Sequence, residues 1–405
     1  MAIHGHPGGF VTAVTPTVTT SSAQGIWTKA KQLVYQAAGS WPSPPFAGGQ
    51  LWSWGYNATS GALGLGNTTN YSSPKQVGSL TNWLSITSSF AVDTNQGKAA
   101  IKSDGTLWNW GNSASGMSYF GGARSSPTQV GTATTWASVS GGQRTFFAIK
   151  TDGNMWAWGA NTYGQLGLGN TTYYSYGYKS VGSGWAKVSG GRNITHAIKT
   201  NGTLWGWGRN NYGGIGIGNL TDYSSPKQVG ALTTWSYLSA NRDDSFAIKT
   251  DGTLWAWGRN IFGELGLGDS TARSSPVQIG SLTTWSKVSG SAAFSTFAIK
   301  TDGTLWSWGR NNYGQLGLGN TTAYNSPVQI GSLTTWSNVS GGFRLTIAIK
   351  NNGTIWTWGS NVIYGGLGLN NTTDYSSPVQ VGVLTTWAVV SGASGKGQLS
   401  ALKTP

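Results

Sequence analysis

Residues 301–309 read Thr-Asp-Gly-Thr-Leu-Trp-Ser-Trp-Gly, a turn followed by an extended segment. An Asp-Gly pair accepts the positive φ angles of a tight hairpin turn, so Asp302 and Gly303 predict a reversal of the chain. In the segment that follows, Trp306 and Trp308 share one face, because side chains in a strand alternate with a period of two. The stretch therefore predicts a hairpin whose last strand presents two tryptophans on one side.

The Trp-x-Trp-Gly motif of this hairpin recurs along the chain, and a third tryptophan follows each pair. The motif starts at Trp52, Trp108, Trp156, Trp205, Trp255, Trp306 and Trp356. Together these seven sets hold 21 of the 23 tryptophans. A fixed period of about fifty residues is typical of repeat architectures such as solenoids and propellers.

Each repeat contains four segments with strand character. Around the motif at Trp306 they are residues 276–280, 285–290, 297–300 and 304–309. Four antiparallel strands per repeat are typical of one propeller blade. The sequence therefore predicts an all-β fold, a seven-bladed β-propeller with four-stranded antiparallel blades that occupies residues 49–405.

The two ends of the repeat array predict that the ring closes. No Ala-Ile-Lys-type strand precedes the first motif at Trp52, whereas the chain finishes with such a strand at residues 400–404. We expect this last strand to pair with residues 51–54 and to complete a blade from both ends of the chain. An open solenoid would instead carry distinct capping repeats.

The longer motif Trp-x-Trp-Gly-x-Asn-x-Tyr-Gly-Gln-Leu-Gly-Leu-Gly, at residues 156–169 and 306–319, resembles the regulator of chromosome condensation repeat family. The resemblance covers residues 49–405 and implies a seven-bladed propeller. Known members include a nucleotide exchange factor for a nuclear GTPase and a bacterial β-lactamase inhibitor. The shared motifs build the blades, so the resemblance carries over a fold and no particular function.

The composition limits the classes of partner. The chain has 25 Lys and Arg against 11 Asp and Glu, a net charge of +14, which favours contact with anionic surfaces. The positive charges are dispersed, so a nucleic-acid-binding tail is not indicated. The absence of cysteine excludes disulfides and thiolate chemistry. The first residues lack the pattern of a secretory signal, and no apolar run reaches membrane-spanning length.

Cations concentrate at one predicted rim of the propeller. In each blade the loop before the Ala-Ile-Lys strand and the loop after Trp-x-Trp-Gly meet at the same end, and the Asp-Gly turns lie at the other. The first loop holds Lys98, Arg144, Arg192, Arg242, Arg344 and Lys396, and the second holds Arg209, Arg259 and Arg310. This polarity predicts a cationic face for an acidic partner. The alternative is that the arginines cover aromatic edges and cap loop carbonyls.

Three loops depart from the repeat. The loop at residues 88–98 is longer than its counterparts, and the loop at 112–123 loses the Gly-Leu-Gly pattern. The third departure replaces Ser-Ser-Pro with a tyrosine cluster, namely Tyr173, Tyr174, Tyr176 and Tyr178. Tyrosines provide contact area at low entropic cost and are frequent in binding surfaces. They can equally fill the gap left by the missing proline, and the sequence does not separate the two interpretations.

The residues needed for catalysis are scarce. The chain has three histidines, a single glutamate, Glu264, and one acidic pair, Asp243-Asp244, whose adjacent side chains point apart. The spacing of His4 and His6 is a weak metal signal. No nucleophile, base and orienting group can be assembled. We therefore expect a protein that is not an enzyme and has no cofactor and no metal site.

The first 48 residues differ from the repeats and predict an anchoring arm. Residues 25–38 have apolar positions at helical spacing, and a Pro-rich link follows. The candidate anchor side chains are Ile26, Trp27, Leu33, Val34 and Trp41. A short helix is marginal alone, so its apolar stripe should dock on the propeller or on a partner. Residues 22–42 resemble a short module in structural proteins of tailed phages, except at residues 29–31.

The resemblance of the arm implies a phage virion protein, assembled in the host cytoplasm and displayed as capsid decoration or as a head or tail fibre. Its expected partners are other virion proteins, bound through the arm, and an anionic host-surface glycan or an acidic protein, bound by the propeller. The alternative is a soluble cellular protein-binding module, either an inhibitor or a GTPase regulator. A third class, an enzyme such as a lyase acting on an anionic polysaccharide, requires clustered acidic or basic side chains at the channel mouth, and the sequence offers few.

Overall fold

The computed structural model describes residues 17–18, 23–24, 46–58, 61–89, 96–112, 119–120, 122–291, 293–362, 364–392 and 397–405. The chain divides into two compact units, Met1–Ala47 and Gly48–Pro405. In the first unit, Thr17–Val18 (β1) pairs antiparallel with Ala23–Gln24 (β2). The helix predicted at residues 25–38 lies outside the described residues.

The second unit is all-β and contains seven four-stranded antiparallel sheets, as the repeat predicts. Blade 1 is Trp387–Gly392 (β29), Leu399–Lys403 (β30), Gln50–Gly55 (β3) and Tyr71–Gln76 (β4). Blade 2 is Trp83–Ser88 (β5), Gly97–Lys102 (β6), Leu107–Gly111 (β7) and Arg124–Gln129 (β8). Blade 3 is Trp136–Gly142 (β9), Thr145–Lys150 (β10), Met155–Gly159 (β11) and Tyr174–Gly182 (β12).

The remaining four blades follow the same order. Blade 4 is Trp185–Gly190 (β13), Ile194–Lys199 (β14), Leu204–Gly208 (β15) and Tyr223–Gln228 (β16). Blade 5 is Trp235–Ala240 (β17), Asp244–Lys249 (β18), Leu254–Gly258 (β19) and Arg273–Gln278 (β20). Blade 6 is Trp285–Gly290 (β21), Ser295–Lys300 (β22), Leu305–Gly309 (β23) and Tyr324–Gln329 (β24). Blade 7 is Trp336–Gly341 (β25), Leu345–Lys350 (β26), Ile355–Gly359 (β27) and Tyr375–Gln380 (β28).

The grouping of strands into blades differs from the repeat by one strand. The strand at residues 276–280 was grouped with Trp306, but β20 pairs with β19 of the preceding blade, with Trp255 opposite Gln278. The Ser-Ser-Pro strand is therefore the last strand of its blade. This outer position suits proline, because a residue without an N–H is tolerated at a sheet edge.

The ring closes as predicted, by pairing of the two ends of the chain. In blade 1 the C-terminal strand β30 lies against β3, with Leu51 opposite Leu402 and Trp54 opposite Leu399. Two strands of this blade thus come from each end of the chain. This arrangement joins the first and last repeats through backbone hydrogen bonds and leaves no open end to the array.

Among the described residues, the second tryptophan of five of the seven motifs donates a hydrogen bond to the preceding blade. Trp308 and Trp358 are fully buried, and their indole N–H groups donate to the carbonyl oxygens of Glu264 and Gln315 in the preceding blade, both at 2.8 Å. Trp110, Trp207 and Trp257 repeat the contact. The Gly-Leu-Gly loop permits this approach: a Cβ on Gly317, whose φ is +77°, would lie 2.7 Å from Nε1 of Trp358.

A ring of hydroxyl groups joins the innermost strands around the axis. Ser340 of β25 accepts the amide N–H of Gly392 in β29 at 2.8 Å, and Ser391 of β29 in turn lies 3.4 Å from Ser88 of β5. The other junctions use Thr87, Ser140, Ser189, Ser239 and Ser289. These strands line a polar axial cavity of about 330 Å³.

Candidate binding face and tryptophan grooves

The two cation-bearing loops of a blade meet at one rim, as predicted. The backbone N–H of Arg209 donates to Asn193 O, that of Arg259 to Asp243 O, and that of Arg310 to Phe294 O, at 2.8–3.0 Å. The Asp-Gly turns lie at the other end of the strands. We call the rim of the loops the arginine face, which comprises Arg144, Arg192, Arg209, Arg242, Arg259, Arg310 and Arg344.

Most arginines of this face are half-buried against aromatic rings. The guanidinium of Arg259 lies 4.5 Å from the ring centroid of Phe294 and 5.2 Å from that of Tyr212. The same contact joins Arg209 to Tyr163, Arg242 to Phe294, Arg310 to Phe262 and Arg344 to Tyr313 and Phe343. The alternative packing role of the arginines is therefore visible at these positions. Stacking also holds their guanidinium planes in fixed orientations.

Three arginines crowd together at blades 4 and 5. Burial, followed by the positive charge of Arg192, lowers the pKa of Arg242, and Arg259 adds to the effect. The only ion pairs of Arg242 and Arg259 within the described residues are with the single carboxylate of Asp243, at 3.9 and 3.4 Å. Positive charge exceeds negative charge in this cluster, so an added anion would be favoured there.

Two carboxyl groups lie buried beneath the cluster. Asp244 and Glu264 are at most 1% exposed, and burial raises the pKa of each carboxyl. Asn241 Nδ2 donates to Asp244 at 2.8 Å, and the Phe262 N–H donates to Glu264 at 2.6 Å. Asp243 instead faces the arginines, so the two adjacent aspartates do point apart. Solutes cannot reach Asp244 or Glu264, and the described residues contain no cluster able to hold a metal ion.

The prediction that Lys98 lies on this face is wrong. Lys98 lies in strand β6 and has no exposed surface; its ammonium group contacts the hydroxyl groups of Ser53, at 3.3 Å, and Ser400. Burial lowers its pKa to about 7. The extra residues of the preceding loop obscure the register, whereas counting back from Ala100-Ile101-Lys102 places Lys98 in the strand. The other cation of this pair, Lys396, lies outside the described residues.

The tyrosine cluster divides into packed and exposed members. In the pairing of β11 with β12, Trp156 lies opposite Ser180 and Gly159 lies opposite Tyr174. Between these two pairs β12 has one residue more than the corresponding strand of blade 6, and Tyr178 takes the position of the proline there. Tyr178 packs on Trp136 and Trp156, with centroids at 5.4 and 5.0 Å.

Tyr178 therefore fills the gap left by the proline, whereas Tyr173 is 40% exposed. Tyr174 is half-buried, and its hydroxyl accepts a hydrogen bond from Asn170. Tyr176 belongs to β12, but its side chain lies outside the described part. The anchor candidates Ile26, Trp27, Leu33, Val34 and Trp41 also lie outside it, so their role stays a prediction. Among the described residues no helix has the length and apolarity to span a membrane.

The sequence analysis missed a second kind of surface, the grooves between blades. At the junction of blades 6 and 7, a cavity of about 410 Å³ is lined by Leu318, Leu333, Trp336, Lys350, Trp356 and Pro378. The junction of blades 1 and 2 has an equivalent cavity of about 290 Å³, lined by Leu65, Leu80, Trp83, Trp108 and Pro127. We call them groove 6/7 and groove 1/2. Each combines residues from two repeats, so no single motif indicates it.

The class of protein defined by this geometry is a ring-closed seven-bladed propeller with a cationic rim. Its sequence matches the family described as Regulator of chromosome condensation (RCC1) repeat over residues 48–89, 152–198, 201–248, 251–298 and 302–349. A second description of the same repeat matches residues 136–165, 185–213 and 285–315. These segments make up more than half of the sequence, and the chain belongs to the RCC1 repeat family.

Individual relatives match over shorter stretches. Protein RCC2 of Homo sapiens is 40% identical over 97 residues, which are 23% of this chain and 18% of that protein. The Xenopus laevis homologue is 36% identical over 96 residues, with the same coverage. The chain thus spans less than a fifth of the curated relatives that it matches.

Solved structures share the whole propeller at low identity. Human WBSCR16 superposes with a TM-score of 0.76 at 19% identity, covering 88% of this chain and 98% of that one. Prp20p of Saccharomyces cerevisiae superposes with a TM-score of 0.74 at 17% identity, covering 88% and 92%. At these identities the likeness concerns the fold alone.

Proposed function

We propose that this propeller is a protein-binding module that is not an enzyme, and that its arginine face docks on an acidic surface of a partner protein. The observation that carries the proposal is the cluster of Arg192, Arg242 and Arg259 around the single carboxylate of Asp243. A carboxylate of a partner would pair with these guanidinium groups, in bidentate geometry where the fork is free. Because aromatic stacking fixes several arginines in advance, docking would cost less side-chain entropy.

A binding role also agrees with what is described for a protein of the same fold. The structure of Prp20p is described together with its binding properties to Gsp1p and histones. The identity is too low to transfer those partners. The inaccessibility of Asp244 and Glu264 argues against acid–base chemistry at the cluster, since a catalytic group must reach its substrate.

The test is photo-crosslinking from both ends of the propeller. Ile261 is 50% exposed on the arginine-face loop of blade 5, and Leu232 is 48% exposed on a loop at the opposite end. A photoreactive side chain at Ile261 should capture a protein with an acidic surface in the source cells, and the same group at Leu232 should not. Equal capture from both positions would contradict the proposal.

The virion assignment is a second candidate, and it concerns the arm instead of the face. It is supported by the resemblance of residues 22–42 to a phage module and by the division of the chain into separate units at Ala47 and Gly48. In this proposal the arm attaches the propeller to other virion proteins, and the exposed face meets an anionic glycan or an acidic protein on the host.

Immunogold electron microscopy of particles from the source lysate tests this second candidate. Antibody raised against residues 49–405 should label the capsid or tail, and a chain without residues 1–47 should fold but leave particles unlabelled. Unlabelled particles with the full chain in the soluble fraction would remove the virion role and leave the protein-binding module.

A further inference from the structure

We propose that grooves 6/7 and 1/2 are binding sites for an acidic saccharide, with tryptophan as the platform for the sugar ring and lysine as the counter-ion for its carboxylate. The inference is independent of the arginine face, which lies on another part of the propeller. It starts from a lysine whose surroundings lack an anion.

Lys350 lies against two indole rings. Its ammonium nitrogen is 3.6 Å from the ring centroid of Trp356 and 5.0 Å from that of Trp336. The residue is only 9% exposed, and burial lowers its pKa. The turn beside it is Asn351-Asn352-Gly353, without the aspartate found in other blades, and no ion pair of Lys350 with a carboxylate occurs in the described part of the chain. A partly desolvated cation next to an open cavity would bind an anionic group.

The walls of groove 6/7 suit a ring with one apolar face. Trp356 is half-buried, with part of its indole at the cavity, and its N–H is already bonded to Thr354, so the ring offers its π surface. The C–H bonds on one face of a pyranose are weakly positive and complement the negative face of an indole. Gln329 and Ser377 also line the cavity and supply polar groups for hydroxyls.

The size and repetition of the grooves favour a sugar polymer. Both volumes lie near the lower end of the range of small-molecule sites, about 300–1,000 Å³. Groove 1/2 repeats the pair of indole rings, and Lys102 lies 3.6 Å from the centroid of Trp108 and 5.0 Å from that of Trp83, but the carboxylate of Asp104 in the adjacent turn acts on this lysine. Equivalent sites on one rigid body gain avidity from a ligand that itself repeats.

The junction of blades 2 and 3 supplies a natural control. There Tyr178 packs on the corresponding Trp136 and Trp156, and Lys150 lies 5.3 Å from the centroid of Trp156, farther than Lys350 from Trp356, while its 5.1 Å to Trp136 is ordinary for these blades. The same three side-chain types are present, but the tyrosine occupies the space that a sugar would need. Substitution of Lys150 therefore removes an equivalent charge without touching a proposed site.

The experiment is calorimetric titration of the full chain with trigalacturonic acid, using its methyl ester as the uncharged matched probe. We expect the acid to bind with a dissociation constant of about 1 mM or below, and the ester at least about tenfold more weakly. K102M/K350M should weaken binding by about tenfold, and Leu333→Ala, at an exposed groove position, should weaken it without affecting folding. K150M should leave binding unchanged.

Several results would overturn the assignment. They are the absence of binding at about 10 mM acid, equal binding of the ester, or an equal loss in K150M. Loss of acid binding in R192E/R242E would assign the saccharide to the arginine face and would contradict the groove proposal. Retained binding in R192E/R242E supports the grooves whether or not that face docks a protein.

Discussion

The ammonium nitrogen of Lys98 lies 3.3 Å from the hydroxyl oxygen of Ser53, inside the blade that the two ends of the chain build together. Lys98 belongs to blade 2, whereas Ser53 and its neighbour Ser400 belong to the N-terminal and C-terminal strands of blade 1. The two hydroxyl groups also bond to each other at 2.8 Å. One buried cation thus contacts both halves of the closing blade.

This lysine should make the stability of the propeller depend on pH. Its pKa is about 7 in the folded chain against 10.5 for a free lysine, so the unfolded chain binds more protons between these values. Stability should therefore rise as the pH increases from 7 to 10.5. Denaturant unfolding should show that Lys98→Met removes this rise and stabilises the chain by about 1–4 kcal/mol at pH 7, since the Ser53–Ser400 bond remains.

The comparison is between the pH slopes of the two proteins, because other buried lysines contribute equally to both. An unchanged slope in Lys98→Met, or a loss of stability at pH 7, would show that the ammonium is well compensated where it lies.

His196 should lower the stability of the propeller at acidic pH. Burial lowers its pKa from 6.5 to about 4, while Ile215 O lies 3.1 Å from Nε2 and Ser245 Oγ lies 3.3 Å from Nδ1. The unfolded chain binds the additional proton between pH 6.5 and 4, so stability is lost as the pH falls through this window. Thermal unfolding of His196→Gln should show a shallower decline over this range than the wild type. Parallel curves would assign the acid limit to other groups.

The glycine loops should tolerate no side chain where they meet a tryptophan. Gly317→Ala would bring a Cβ within 2.7 Å of Trp358 Nε1 and break the bond to Gln315. We expect a loss of about 2–4 kcal/mol in the free energy of unfolding. Gly331 is the matched control, since it also has positive φ, +60°, but no atom within 4 Å of its Cβ position. Gly331→Ala should cost only the backbone strain, about 1 kcal/mol. Equal losses would show that contact with the tryptophan is irrelevant.

The Trp-x-Trp-Gly period was sufficient to predict the fold, because its spacing and the missing strand before Trp52 define both the blade number and the closure. The strand at which one blade ends and the next begins could not be predicted in the same way. A repeat can be cut at any strand, and only the pairing of Trp255 with Gln278 shows that the Ser-Ser-Pro strand ends a blade.

The candidate sites were harder to predict, for local reasons. The arginine rim follows from strand direction, but the stacking of Arg259 on Phe294 joins residues of different blades. The sequence assigned Lys98 to a loop instead of to β6 because the extra residues before it obscure where the strand begins. The grooves were not predicted because their lining residues, such as Leu333 and Trp356, come from successive repeats. The repeat period also does not show at which blade junctions a side chain such as Tyr178 occupies the groove.

The most direct test of the binding role measures the affinity of the partner captured through Ile261 for charge-reversed chains. R192E/R242E should weaken binding by at least about 100-fold and reduce its dependence on salt, whereas K75E/K227E, two reversals on outer strands away from the arginine face, should change it less than about threefold. If both variants bind like the wild type, or both lose affinity equally, the arginine face is not the docking surface.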